Sequence, residues 1–359
     1  MGRCDGWLRT LKTRGGSDLH LAAGAVPRLR LKGELIDLEG ESPLSDADLR
    51  SALREVANEE QWQEFERCGD LDFAYGLAGV ARFRVNFLVQ ESGAAAVCRM
   101  VPEEIVTIEQ LGLPPAIGSL VHLSKGLVLV TGPTGSGKST TLAAIVDAIN
   151  AGYAKHIVTI EDPVEFVHVN KRSVLSHREV GAHTGSFADA VRAAIRQDAD
   201  VVLVGEMRDR ETMQMAITAA EMGLLVFGTL HTNSAARSID RIIDAFPASE
   251  QNQVRISLAE SLAGVVAQLL LPAADGKGRV AVHEILLRTP GLPNVIREGN
   301  ASLIASIIQS GKAQGMQSMD DALLAATKAG RVRAFDAYLK ASDRTRFEPL
   351  LSPEERNAA

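Results

Sequence analysis

The spacing of apolar positions changes along the chain and separates two regions. Between Asp18 and Leu35 short alternations, Leu19-His20-Leu21 and then Leu29-Arg30-Leu31, are broken by Gly24, Pro27 and Gly33, which predicts hairpin strands. Ser45 to Glu66 changes to helical spacing, with Ser45 as N-cap and Asp48 three residues on. Leu71–Tyr75, Val80–Val89 and Ala94–Met100 alternate as strands again. The first hundred residues thus read as a small α+β domain, strands with helices on one face. Pro102 to Pro115, ending in Leu111-Gly112-Leu113-Pro114-Pro115, reads as a linker.

Past the linker the pattern is different. Gly126 to Val130 is continuously apolar, a strand buried on both faces. His156–Ile160, Asp200–Val204 and Leu224–Thr229 are further strands, and helical runs at Leu142–Ile149, Ser186–Gln197 and Asp209–Met222 alternate with them. That alternation predicts a mostly parallel sheet. Beyond Ser234 the runs Ile239–Ala245, Glu250–Leu271, Ser302–Ile308 and Met319–Ala329 read as helices, interrupted by one strand, Arg279–Leu287. From Arg344 on, Pro349, Pro353 and clustered charge predict a frayed tail. The fold class is α/β, divided into an N-terminal domain over 1–101, a linker over 102–115, the main domain over 116–343 and a tail over 344–359.

Length agrees with that division, since 359 residues exceed what one hydrophobic core usually supports. No apolar run approaches the ~18 residues of a membrane span. Met1 to Thr10 lacks the apolar core of a signal peptide, so a cytoplasmic location is expected. Cys4, Cys68 and Cys98 are far apart and form no C-x-x-C pair, which argues against a disulfide framework and a thiolate zinc site. Cys68 and Cys98 read as small buried hydrophobes. A formal charge of −7 gives no general attraction to nucleic acid.

Chemistry concentrates after the first buried strand. Gly132-Pro133-Thr134-Gly135-Ser136-Gly137-Lys138-Ser139-Thr140 fills every fixed position of G-x-x-x-x-G-K-[ST] between a strand and a helix-forming run. Glycines there let successive backbone N–H groups converge on one anion, and the helix N-terminus adds its partial positive charge. Lys138 would reach the β- and γ-phosphates of ATP, and the Ser139 hydroxyl would hold Mg²⁺. Glu206 follows a four-residue apolar strand and Gly205, where a Walker B acid belongs, and it is the second candidate metal ligand. Glu161 ends a neighbouring strand in Glu161-Asp162-Pro163, a sequence that also suits a turn. Which of the two carboxylates orders the metal shell and which polarises water is not set by sequence. His231 ends a third strand and could sense the γ-phosphate or bond to backbone, while His177 and His183 lie in a polar loop and read as solvated or structural. Arg82 and Arg84 share a strand face, with Arg99 on the next strand; they could pair with Asp70 or Asp72, or meet phosphates on a neighbouring subunit.

The chain resembles the twitching-motility (PilT-type) ATPases of the secretion ATPase superfamily over about residues 17 to 340. Outside the phosphate loop the resemblance is carried by Ser17-Asp18-Leu19-His20-Leu21, Ala81-Arg82-Phe83-Arg84-Val85-Asn86, the acidic box Thr159–His168, Val204-Gly205-Glu206-Met207-Arg208-Asp209, Phe227-Gly228-Thr229-Leu230-His231-Thr232 and Gly315-Met316-Gln317. It implies a homohexameric motor for type IV pilus retraction, with a PAS-like N-terminal domain, a RecA-like P-loop ATPase domain with a helical C-terminal part, and ATP at their junction. It also implies that Glu206 is the Walker B acid, that Glu161 belongs to the acidic box and that Arg84 and Arg99 approach ATP. The implied partners are an inner-membrane pilus platform protein, through it pilin, and a paralogous motor ATPase, with the protein peripheral to the inner membrane face and not bound to nucleic acid. Three positions depart from the family. Leu224 stands where it has a His, Pro293 replaces the Arg of its Ala-Ile-Arg-Asn-Leu motif, and His183 replaces an Asp. These leave room for an accessory paralogue or a weakly catalytic scaffold subunit; a DNA translocase is disfavoured by the acidity.

Overall fold

The computed structural model describes residues 2–31, 33–101 and 104–358. It divides into two compact units, Met1–Glu104 with Pro163–Val167, and Ile105–Asp162 with His168–Ala359. The first two positions of the expected linker, Pro102 and Glu103, lie outside the described residues.

The first unit is built on a six-stranded antiparallel sheet of order β3-β2-β1-β6-β5-β4, where β1 is Asp18–Ala22, β2 Arg28–Leu31, β3 Glu34–Asp37, β4 Asp70–Leu77, β5 Ala81–Gln90 and β6 Gly93–Val101. Alternation turns Leu19, Leu21, Leu29, Phe83, Val85, Phe87, Ala96 and Cys98 into one buried core. Against it pack Trp7, Leu8 and Leu11 of a helix, Arg3–Thr13, that the apolar spacing did not reveal. The helically spaced run Ser45–Glu66 forms two helices, Asp46–Arg54 and Glu59–Cys68. Ser45 caps the first through the Asp48 N–H, and Asn58 breaks the run because it forms a capping box with Gln61. Cys68, the last residue of that second helix, is exposed, contrary to expectation, whereas Cys4 and Cys98 are both buried and hydrogen-bonded to each other. Burial and that bond push the Cys4 thiol up, so it behaves as a small hydrophobe.

The second unit carries a seven-stranded sheet of order β13-β12-β7-β11-β10-β8-β9. Its strands are β7 Gly126–Thr131, β8 His156–Glu161, β9 Val174–Glu179, β10 Val201–Val204, β11 Leu225–Leu230, β12 Leu262–Pro272 and β13 Arg279–Leu287. All pairings are parallel except β12 with β13. Three differences from the pattern-based reading have physical causes. The helical run Glu250–Leu271 is a helix only over Ala248–Ser261; the rest is β12, whose continuous apolar sequence suits a strand with neighbours on both sides. His177 lies in β9, where its Nδ1 meets the Thr159 hydroxyl at 2.9 Å, so it is structural without being in a loop. The tail is not frayed throughout: Phe347 and Leu351 are buried, and Arg346 reaches Asp321 at 2.7 Å.

Candidate nucleotide site

β7 is buried along its whole length and delivers the chain into Gly132, which starts the phosphate loop. Gly135 and Gly137 have φ of +76° and +87°, a region other residues rarely enter, so the glycines are required by the loop's shape. The helix Lys138–Gly152 follows directly, and its N-terminus has no side-chain cap. Helices Arg3–Thr13 and Ala248–Ser261 also lack a side-chain cap, so what sets this N-terminus apart is the glycine loop that leads into it. The N–H groups of its first turn are open to an anion. The Lys138 ammonium donates to the carbonyls of Gly132 and Pro133 at 2.8 and 3.2 Å, folded over the loop. Ser136 Oγ is buried and has no partner among the described residues. Ser139 is exposed on the first turn of that helix.

Sheet order places the remaining chemistry beside this loop. β11, ending before His231, lies next to β7; β10, ending before Glu206, lies next to β11; β8, ending in Glu161, follows. Gly205 allows the last step, since a Cβ there would lie 3.1 Å from the Ile160 carbonyl oxygen and 3.3 Å from the Glu161 Cα. Glu206 is gripped from two sides, by Arg208 at 2.8 Å and by the His231 ring at 3.0 Å. Partial burial pushes its carboxyl pKa up, but Arg208 and His231 more than offset this and hold it below the ordinary value. It is therefore an ionised carboxylate at neutral pH. Glu161 is buried.

A cavity of about 300 Å³ adjoins the loop, lined by Leu111, Leu113, Thr140, Gln268, Leu270 and Arg279. Gln268 was hidden in the sequence inside a run taken as helical; the signal was a lone amide within Val265-Val266-Ala267-Gln268-Leu269-Leu270-Leu271. Arg208 was also missed as Glu206's partner. A group of three or more His, Cys, Asp or Glu able to hold a metal does not occur among the described residues.

The arginines of the first unit form a cross-strand row. Asp18 pairs in register with Arg30 and Arg99, and Arg99 with Arg84. Neither Arg82 nor Arg84 stands opposite Asp70 or Asp72, because register sets them against Gly76 and Ala74. Asp18, buried, takes the Arg99 Nε at 2.7 Å and lies 3.7 Å from the Arg30 Nε. Arg84 is exposed and makes no ion pair among the described residues.

The departures sit away from the phosphate loop. Leu224 is buried just before β11, its carbonyl accepting the Gly126 N–H at 3.0 Å. Pro293 is the second residue of a short helix, Leu292–Arg297, in the first turn, where its missing N–H breaks no helical hydrogen bond. His183 Nδ1 accepts the Glu179 N–H at 3.0 Å.

Anion binding at the mouth of a mostly parallel sheet, with ionised acid on the adjoining strand ends, is the organisation of the P-loop nucleoside triphosphatases, and the chain falls in that class. Residues 51–289 match the family model described as type II/IV secretion system protein. The chain is 47% identical over 330 residues to the type IV pilus retractation ATPase PilT of Pseudomonas aeruginosa, covering 91% of this chain and 95% of that one. It is 39% identical over 334 residues to the type IV pilus ATPase PilU of the same organism, covering 93% and 87%. The crystal structure of the pilus retraction motor PilT with bound ADP superposes with a TM-score of 0.89 at 42% identity, over 97% of this chain and 99% of that one. The chain belongs to the type II/IV secretion system protein family and, within it, is of the PilT type. Among the described residues no helix is long and apolar enough to cross a membrane.

Proposed function

We propose that the protein is an ATP-hydrolysing motor that drives retraction of type IV pili, working as a homohexamer. The observation that carries the reading is the uncapped, glycine-framed helix N-terminus with an ionised Glu206 two strands away in the sheet. The loop over Gly132–Gly137 and the first turn through Thr140 bind the phosphates, Lys138 reaches the β- and γ-phosphates, and the cavity beside Leu111 and Leu270 takes the base. Buried Ser136 Oγ and the exposed Ser139 hydroxyl fit a bound Mg·nucleotide, with Ser139 and Glu206 as the residues that hold the cation. Mg²⁺, when bound, neutralises charge on the transferring phosphoryl group. Glu206 and Glu161 orient the attacking water and receive its proton, and His231 links Glu206 to the strand beside the loop. Arg84 and Arg99, with Arg82 on the same face as Arg84, supply positive charge to ATP on a neighbouring subunit.

The domain scheme that goes with this is a PAS-like N-terminal domain over 1–101, a linker over 102–115, a RecA-like ATPase domain over 116–343 and a tail over 344–359. The partners are an inner-membrane pilus platform protein and a paralogous motor, and the protein works in the cytoplasm against the membrane face. Greater identity to the PilT relative than to the PilU relative supports the main motor over the accessory reading.

The purified chain is expected to hydrolyse ATP with Mg²⁺. Lys138→Ala should lose nucleotide affinity, and Glu206→Gln should retain bound ATP without turnover. A wild type no faster than the Lys138→Ala control would overturn the catalytic reading. Twitching restored by the wild-type gene, but not by Glu206→Gln, in a strain deleted for its retraction motor tests the cellular role.

A further inference from the structure

Gln268 lies buried on β12, the strand beside β7 on the side away from β11. Its side-chain amide is held at both ends. Nε2 donates to the Ser136 carbonyl at 2.6 Å, and Oε1 accepts the Thr141 hydroxyl at 2.8 Å. The direction of the amide is set by chemistry, because a backbone carbonyl can only accept. Two glycines of the phosphate loop close on the same residue. A Cβ on Gly132 would lie 2.3 Å from the Gln268 carbonyl oxygen, and one on Gly137 would lie 2.9 Å from Nε2.

We propose that Gln268, oriented by Thr141, is the positioning residue that aims the Gly137 amide of the phosphate loop at the bound nucleotide. The inference rests on the nucleotide reading above. A trans peptide is planar, so its C=O and N–H point in opposite directions. Drawing the Ser136 carbonyl onto Gln268 turns the Gly137 N–H away from β12. Gly137, at φ +87°, would otherwise allow that peptide to rotate cheaply, since glycine meets little steric resistance. A donor already aimed before the ligand arrives avoids the ordering cost at binding. Thr141 supplies the counter-hold from the helix that starts at Lys138, so the clamp joins strand, loop and helix. Gln268 also lines the cavity next to the loop.

The test uses the full-length chain, with ATP and ADP dissociation constants, kcat and KM, and the melting temperature without nucleotide. Gln268→Glu is nearly isosteric but puts a carboxylate oxygen against the Ser136 carbonyl. It is expected to weaken ATP and ADP by tenfold or more, the loss of one buried hydrogen bond plus a repulsion. Thr141→Val should weaken them less, and Thr141→Ser should restore wild-type binding because it keeps the hydroxyl. The nucleotide-free melting temperature of Thr141→Val should move by no more than a few degrees. A purely structural role predicts the reverse, a lowered melting temperature with unchanged dissociation constants in the fraction that folds, and that result overturns the inference. Wild-type binding of ATP with undiminished affinity in both Gln268→Glu and Thr141→Val overturns this inference alone; a wild type that binds no ATP overturns the nucleotide reading with it.

Discussion

Glu206 shows how much the chemistry of one carboxylate depends on its neighbours. Partial burial alone would raise its pKa; Arg208 and the His231 ring outweigh that and hold it below the ordinary carboxylate value. A group whose folded-state pKa is depressed adds stability above its unfolded value and loses it as pH falls through the folded one. The same sign governs activity if the ionised form is needed. Removing Arg208 should raise the Glu206 pKa and carry the acid limb of the pH–kcat profile to higher pH. Arg208→Ala should therefore lose turnover at the acid end of the profile while keeping most of it at the alkaline end. A uniform loss across the profile would show that Arg208 acts on something other than this proton. The Asp18 carboxylate is held down in a related way: burial raises it, but the Ser17 hydroxyl and Arg99 outweigh that.

Helix N-termini are treated in two ways in this fold. Some are closed by Ser, Asn or Asp side chains, and others, among them the glycine-framed one at Lys138, have no side-chain cap. Glu284 on β13 adds a third arrangement, one half-buried carboxylate serving two helices. Oε1 accepts the Ala235 N–H at 2.7 Å and Oε2 accepts the Met319 N–H at 3.3 Å. Ala235 starts the helix that follows the His231-Thr232 segment, and Met319 starts a C-terminal helix, so the two are tied through one side chain. Burial pushes the Glu284 pKa up, and the two N–H groups oppose it. Glutamine keeps only one acceptor oxygen and presents N–H₂ to the other helix. Glu284→Gln should therefore cost about 1–2 kcal/mol in denaturant unfolding, and Glu284→Ala more, since both N–H groups then lose their partner. An unfolding midpoint unchanged in Glu284→Ala would show that neither end needs it.

Assembly is where the arginine row acquires a use. A lone P-loop subunit lacks charge on the far side of the transferring phosphoryl group, and in related enzymes an arginine supplied in trans is worth roughly 10³–10⁵ in rate. Under the proposed mechanism the exposed Arg84, with Arg99 anchored on Asp18, supplies that charge. Inactive Arg84→Ala subunits mixed with inactive Lys138→Ala subunits should then recover hydrolysis, because each supplies what the other lacks. Turnover per subunit should also rise with protein concentration. Full activity in a species that light scattering shows to be monomeric at saturating ATP would remove the trans arginine from the mechanism.

Local sequence determined the phosphate loop, the strand ends that carry Glu161, Glu206 and His231, and the Ser45 cap. Each rests on a short run whose spacing or residue types have one good conformation, so neighbours in the chain suffice. The likeness to PilT-type ATPases was legible for the same reason, as a series of such short runs. Pairings between distant residues were not. Thr141 meets Gln268 from 127 positions away and Arg99 meets Asp18 from 81, and nothing in either neighbourhood names its partner. The stretch Leu262–Leu271 is apolar enough for a buried helix or a buried strand, and only the places offered by β7 and β13 made it β12. The register of β4 with β5 likewise set Arg82 and Arg84 opposite Gly76 and Ala74 rather than Asp70 and Asp72, and that of β1 with β6 gave Asp18 to Arg99. Periodicity tells a residue which face it occupies, while the closing of the sheet decides which side chain it finds there.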